Sequence, residues 1–224
     1  LFIGGILITL IMGAISTMLH LPRMPRLSVL FLTLFMLTYG IIAPETYFFS
    51  KMAIPFQVFT IIMQLIASLV MAIVIGVLFP PVETGAGLRA EVKDYFAQRK
   101  GKDWIWRFAL ASLLFFPIYF AFGLAVSPIV VPYYNDPELG LDLVIPPIEV
   151  MILVQISRGL LYALVAMPLF AVLRLPKWRT GYTLGLIMAI VGAVVPAMTN
   201  AMLPVPLRMA HGVEMVEDGF VQGL

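Results

Sequence analysis

Long uninterrupted runs of apolar residues dominate the hydrophobic pattern of this chain, and short polar segments separate them. A helix needs about 20 mostly apolar residues to cross about 30 Å of hydrocarbon, at about 1.5 Å per residue. The runs that approach this length are 1–19, 27–43, 55–79, 106–125, 147–173, 181–203 and 207–224. The pattern therefore predicts an all-α bundle of about seven transmembrane helices, six of them apolar and the last one polar.

The composition supports burial in lipid. The 224 residues are 62% hydrophobic and 12% charged, whereas soluble domains carry about 25% charged residues. We therefore interpret residues 1–224 as a single transmembrane domain whose first partner is the lipid bilayer. A net charge of +2 is too small to indicate a nucleic-acid partner. The absence of cysteine excludes disulfides, thiolate metal sites and cysteine nucleophiles.

Basic residues are distributed unevenly between the loops, and this asymmetry predicts the orientation. They concentrate after the first, third and fifth runs, at Arg23, Arg26, Arg89, Lys93, Arg99, Lys100, Lys102, Arg107, Arg174, Lys177 and Arg179. The fourth loop is acidic, with Asp136, Glu138 and Asp142. The positive-inside rule then places loop 80–105 and the C-terminus in the cytoplasm and the N-terminus outside, in a plasma (inner) membrane.

Loop 80–105 also carries an amphipathic pattern. Its apolar residues recur at helical spacing, at Leu88, Val92, Tyr95 and Phe96. We expect a short interfacial helix here with its basic face toward anionic lipid. Tryptophan side chains that flank the neighbouring spans would anchor them at the interface; they are Trp104, Trp106 and Trp178.

The sixth run carries a ridge of small residues spaced four apart. They are Gly181, Gly185, Ala189, Ala193 and Ala197. Small side chains at this spacing let another helix backbone approach closely. The pattern predicts close packing against either another span of the chain or a second membrane subunit, and does not choose between them.

Ionisable residues in the last run form the main functional clue, since each costs about 2.5–3.5 kcal/mol in hydrocarbon unless it lines a cavity or finds a partner. With successive residues turned by about 100°, His211, Glu214 and Asp218 fall on one face and Arg208 lies at its edge. A histidine and carboxylates on one stripe could act as an acid/base pair. The only other histidine lies far away in sequence, so we expect no metal site.

The fifth run places Gln155, Arg158 and Tyr162 on one face, with Arg158 about 13 Å deep. A guanidinium at that depth needs a carboxylate partner, for which Glu45, Glu214 and Asp218 are the candidates. We hypothesise that these residues and Arg208 form a polar pocket open to the outer face. The alternative is structural: residues near the span ends snorkel to the interface, and buried ion pairs only fix helix register.

No Walker A, H-E-x-x-H or G-x-S-x-G sequence is present, and no cofactor is identifiable. Three functions remain open. The favoured one is transport or binding of a polar or anionic solute or a lipid headgroup in the pocket, without catalysis. The second is a non-catalytic subunit of a larger membrane complex, held through the sixth helix. The third is an intramembrane enzyme acting on a lipid-linked substrate, with His211 as general base beside Glu214 or Asp218.

Overall fold

A computed structural model describes residues 2–83, 85–134, 143–173, 175–200 and 203–224. The described residues are helical, with no strand among them. Their helices are α1 (Phe2–Met18), α2 (Arg23–Phe49), α3 (Ile54–Leu78), α4 (Leu88–Ala97), α5 (Gly101–Tyr134), α6 (Ile148–Val172), α7 (Lys177–Thr199) and α8 (Val205–Gly223). Four charged residues used above to predict orientation lie outside these ranges: Asp136, Glu138, Asp142 and Arg174.

Five of the described helices, α2, α3, α5, α6 and α7, are long and apolar enough to cross a membrane. This agrees with a multi-pass integral membrane protein. Helix α1 is apolar but has only 17 residues, and the polar α8 does not meet the same criteria. The count of about seven spans is thus not confirmed. The orientation, the membrane in question and an interfacial position for α4 also stay predictions.

Helix α5 is much longer than the predicted run 106–125, because it continues for 34 residues through Pro117, Pro128 and Pro132. Each proline removes one backbone donor, but the helix tolerates the loss where neighbouring groups satisfy the freed carbonyl. At about 1.5 Å per residue its length is about 51 Å, which exceeds the hydrocarbon thickness of about 30 Å. The segment near Pro128 and Pro132, which lies beyond the predicted run, is therefore the end of a continuous helix.

Helices α2 and α7 each contain a five-residue π-helical stretch, Met36–Gly40 in α2 and Ile190–Val194 in α7. A proline follows each one, Pro44 in α2 and Pro196 in α7. A proline ring clashes with the carbonyl four residues earlier, and this carbonyl belongs to the π stretch in both cases. The wider turn rotates the end of each helix relative to its start. Both rotated ends lie at the candidate site described below.

The ridge of small residues on α7 packs against α8 of the same chain. A Cβ atom added at Gly185 would lie 2.8 Å from the Phe220 carbonyl oxygen, and one added at Gly219 would lie 3.2 Å from the Met188 carbonyl carbon. Helix α8 contributes its own glycines to this contact, Gly212, Gly219 and Gly223. Close backbone contact between α7 and α8 holds the polar last helix inside the bundle, where it also packs against α5.

Candidate functional site

A buried ion pair joins α6 to α2. Arg158 is 1% exposed, and its Nη1 atom lies 2.6 Å from Oε2 of Glu45 and donates a hydrogen bond of 2.9 Å to Oε1 of Gln155. The contact with Glu45 is electrostatic rather than an aligned hydrogen bond. Of the candidate partners for Arg158, the structure thus selects Glu45, which directly follows the proline that ends the irregular part of α2.

Aromatic rings complete the surroundings of the guanidinium. Its carbon lies 5.1 Å from the ring centre of Phe115 and 5.9 Å from that of Tyr119, both on α5. Tyr162, one turn further along α6, is buried and also interacts with Arg158. Cation–π contacts of this kind stabilise a desolvated guanidinium by about 2 kcal/mol. Three helices therefore hold one positive charge in the interior of the bundle.

Helix α8 brings a second pair of ionisable groups to this region. Nδ1 of His211 lies 2.9 Å from Oε2 of Glu214, and the Glu214 side chain is buried, whereas that of His211 is 26% exposed. One turn deeper, Asp218 is 2% exposed and interacts electrostatically with Arg158. The face predicted for His211, Glu214 and Asp218 therefore points toward Arg158 and Glu45. Among the described residues, this cluster contains three carboxyl groups, one guanidinium and one imidazole.

Several polar atoms of this cluster have no hydrogen-bond partner within the described part of the chain. They are Nε of Arg158, Nε2 of Gln155 and Oδ1 of Asp218. Buried polar atoms in proteins almost always have a partner, and exceptions often mark functional sites. The unpaired donors and acceptors are therefore consistent with a group that enters from a neighbouring cavity.

A cavity of about 620 Å³, here called the His211 cavity, opens directly beside the ion pair. The end of α2, the start of α3, the end of α7 and the start of α8 enclose it, and Glu45, Arg208 and His211 line it. Lys51 and Tyr134 line it as well. The sequence pattern did not identify either residue, because both lie outside the predicted runs: Lys51 between 27–43 and 55–79, and Tyr134 beyond 106–125.

The lining of the His211 cavity favours a negatively charged occupant. Among the described residues that line the cavity, Lys51 and Arg208 carry positive charge and His211 can acquire it. The single carboxylate among them, Glu45, is already paired with Arg158. Arg208 donates one hydrogen bond of 3.1 Å to the Asn200 carbonyl oxygen, and its buried Nε has no partner in the described residues. Excess positive charge at a half-enclosed site attracts anions.

A second cavity, of about 780 Å³, lies at the opposite end of the bundle and is here called the Trp104 cavity. The loops that border it are those between α4 and α5 and between α6 and α7. Tyr162 lines its deepest part, whereas Glu45 lines the His211 cavity. Because Arg158 contacts both Glu45 and Tyr162, its guanidinium separates the two cavities.

The predicted site residues therefore divide by depth. Glu45, Arg208 and His211 reach the His211 cavity, and Tyr162 reaches the Trp104 cavity. Gln155, Arg158 and Asp218 are buried and line neither cavity, and the buried Glu214 lines a smaller cavity of about 160 Å³. No group of three potential metal ligands is found in the described ranges. Comparison with protein families, with curated proteins and with solved structures finds no match to this chain.

Proposed function

We propose that this membrane protein binds a small solute with a negatively charged group in the His211 cavity and passes it across the membrane beside Arg158. The observation that carries the proposal is the position of the Arg158–Glu45 pair, which lies between two cavities at opposite ends of the bundle. A pair that served only to fix helix register would not need an open cavity on either side.

Exchange of counter-ions gives this arrangement a mechanism. An anionic solute in the His211 cavity can replace Glu45 beside the guanidinium, so that the positive charge of Arg158 is never left unpaired in a low-dielectric interior. The irregular ends of α2 and α7 border this cavity, and π-helical turns are frequently found where helices serve a function. A shift of the α2 end away from α6 would then connect the two cavities.

Thiol labelling tests the two cavities directly, because the chain contains no cysteine of its own. Thr46→Cys reports on the His211 cavity and Ala171→Cys on the Trp104 cavity. In sealed vesicles of one orientation, a membrane-impermeant thiol reagent should label the first variant from one side only and the second from the opposite side only. Labelling of both from the same side would contradict two opposed cavities.

Solute uptake tests the role of the ion pair. Vesicles containing the protein are offered a panel of radiolabelled anions, namely acetate, succinate and inorganic phosphate, and a transported anion should also protect Thr46→Cys from labelling. Arg158→Ala should abolish both effects. Arg26→Ala is the matched control, since Arg26 is equally a buried arginine, with a hydrogen bond of 2.8 Å to the Gly76 carbonyl, but lines neither cavity. Uptake that survives in Arg158→Ala would refute the proposal.

An enzymatic role is the second candidate, favoured by the His211–Glu214 contact. A carboxylate bound to one imidazole nitrogen orients the ring and raises the basicity of the other nitrogen, as a general base requires. Under this alternative, His211→Ala loses turnover of a lipid-linked substrate but keeps its binding. Under the transport proposal, Arg158→Ala loses binding itself, and this difference separates the two.

The surface proposed for contact with another membrane subunit is covered by the chain's own last helix. The ridge Gly181, Gly185, Ala189, Ala193 and Ala197 was its proposed contact, and the chain's own α8 packs on that ridge. Association with other membrane subunits would need a different surface.

A further inference from the structure

The Trp104 cavity has the lining of a binding site for an amphiphile, independent of the His211 cavity. Its mouth carries basic side chains from three separate segments: Arg99 follows α4, Arg107 belongs to α5 and Lys177 begins α7. All three are exposed and none forms an ion pair with another residue in the described ranges. Glu91 also lines this cavity, so three basic side chains and one acidic side chain are found among its described lining residues.

Two of the three basic side chains lie near the same aromatic ring. Arg99 and Arg107 both act electrostatically on the phenol of Tyr95, which lines the same cavity. Arg99 also lies 6.0 Å from the ring centre of Trp104. Two cations from separate segments that act on one ring are close enough to share one anion.

Below the basic mouth, the wall of the cavity is apolar and aromatic. Tyr95 stacks on Phe170 with ring centres 6.5 Å apart, and Trp104 contacts Tyr95 and Phe108. Small residues of α6, among them Ala163 and Ala171, leave the space open between these rings. The volume of about 780 Å³ is within the usual range of about 300–1,000 Å³ for ligand sites.

We propose that the Trp104 cavity binds an anionic phospholipid, with its phosphate between Arg99, Arg107 and Lys177 and one acyl chain along the aromatic wall. A free phosphate ion would satisfy the basic groups but leave the apolar wall uncovered. A lipid covers both, and the cavity opens between helices long and apolar enough to lie in lipid. Basic pockets between membrane helices are a known form of headgroup recognition.

Native mass spectrometry of the full chain in a mild nonionic detergent tests this site. Dioleoyl phosphatidylglycerol should bind at one molecule per chain, well above dioleoyl phosphatidylcholine, which has the same tails. The triple variant Arg99→Gln/Arg107→Gln/Lys177→Gln should weaken this binding roughly a hundredfold, because it removes charge-assisted hydrogen bonds. The matched control Arg89→Gln/Lys93→Gln/Lys102→Gln loses the same charge from exposed positions outside the cavity and should change it about threefold or less.

A second variant tests the apolar wall separately and keeps every charged residue in place. Ala163→Trp fills the apolar part of the cavity and should weaken lipid binding at least tenfold. Equal binding of the two lipids, equal effects of the two triple variants, or full competition by millimolar inorganic phosphate or glycerol phosphate would overturn the proposal. Because the assay requires no uptake, its outcome is separate from that of the solute proposal.

Discussion

Replacement of Glu45 by glutamine isolates the electrostatic part of the Arg158–Glu45 pair. The amide keeps the shape of the carboxylate, but the guanidinium, 1% exposed, loses its nearest negative charge. Gln155 and the rings of Phe115 and Tyr119 remain in place as neutral partners. The substitution therefore leaves one uncompensated charge in the interior without creating a cavity.

Loss of one partner of a buried ion pair costs about 3–5 kcal/mol. Gln155 and the rings of Phe115 and Tyr119 still contact the guanidinium, so we expect a value near the lower end, about 3 kcal/mol. The double variant Glu45→Leu/Arg158→Leu removes both charges together. Because neither charge then needs a counter-ion, its stability should lie within about 1 kcal/mol of the unsubstituted protein or exceed it.

Unfolding by sodium dodecyl sulfate in mixed micelles, followed by far-UV circular dichroism, measures these differences. Glu149→Gln provides the matched control, since Glu149 begins α6 but is exposed, and its replacement should change the free energy of unfolding by about 0.5 kcal/mol or less. A cost below about 1 kcal/mol for Glu45→Gln would show that water reaches the pair, contrary to its burial here.

Other predictions use the same unfolding curves or simple probes. Gly185→Ala should destabilise the bundle by about 1–3 kcal/mol, because its Cβ would lie 2.8 Å from a carbonyl oxygen of α8; Gly5→Ala, with no described atom within 4 Å, should be neutral or slightly stabilising. Burial raises the pKa of Tyr95, so this phenol contributes stability that is lost as the pH rises from about 10 through the raised pKa, and Tyr95→Phe should remove that part of the alkaline transition. Trp104→Phe removes a hydrogen bond of 3.0 Å to a carbonyl of α4 and should increase tryptic cleavage within Leu88–Ala97.

Hydrophobic runs predicted the positions of the helices well, because long apolar segments leave the backbone no better partner than its own carbonyls. The ends were less predictable. The predicted run ended at residue 125, yet α5 continues through Pro128 and Pro132 to Tyr134, since proline removes one donor without requiring the chain to turn. Helix α1 is near the minimum length for a span and α8 is near the polarity limit. The sequence alone therefore does not decide the number of transmembrane spans.

The face of a helix could be predicted from sequence, but its partner could not. Helical periodicity placed Gln155, Arg158 and Tyr162 together, and all three are buried. Glu45 is more than a hundred residues away in the chain, and only the packing of α2 against α6 selects it over Glu214 and Asp218. The Trp104 cavity was missed because the basic residues at its mouth come from segments far apart in the chain, and only the packing of α5, α6 and α7 brings them to one cavity.

The double variant Glu45→Leu/Arg158→Leu distinguishes a purely structural role of the Arg158–Glu45 pair from a role in transport. If Arg158 and Glu45 only fix the register of α6 against α2, two leucines of similar volume should preserve both the fold and any solute uptake. If Arg158 exchanges Glu45 for a solute anion, the same two leucines should keep the fold and abolish uptake, because the interior then offers an anion no positive charge between the cavities. A stable Glu45→Leu/Arg158→Leu protein that still transports would therefore exclude the ion pair from the pathway, and a stable one that does not would place it there.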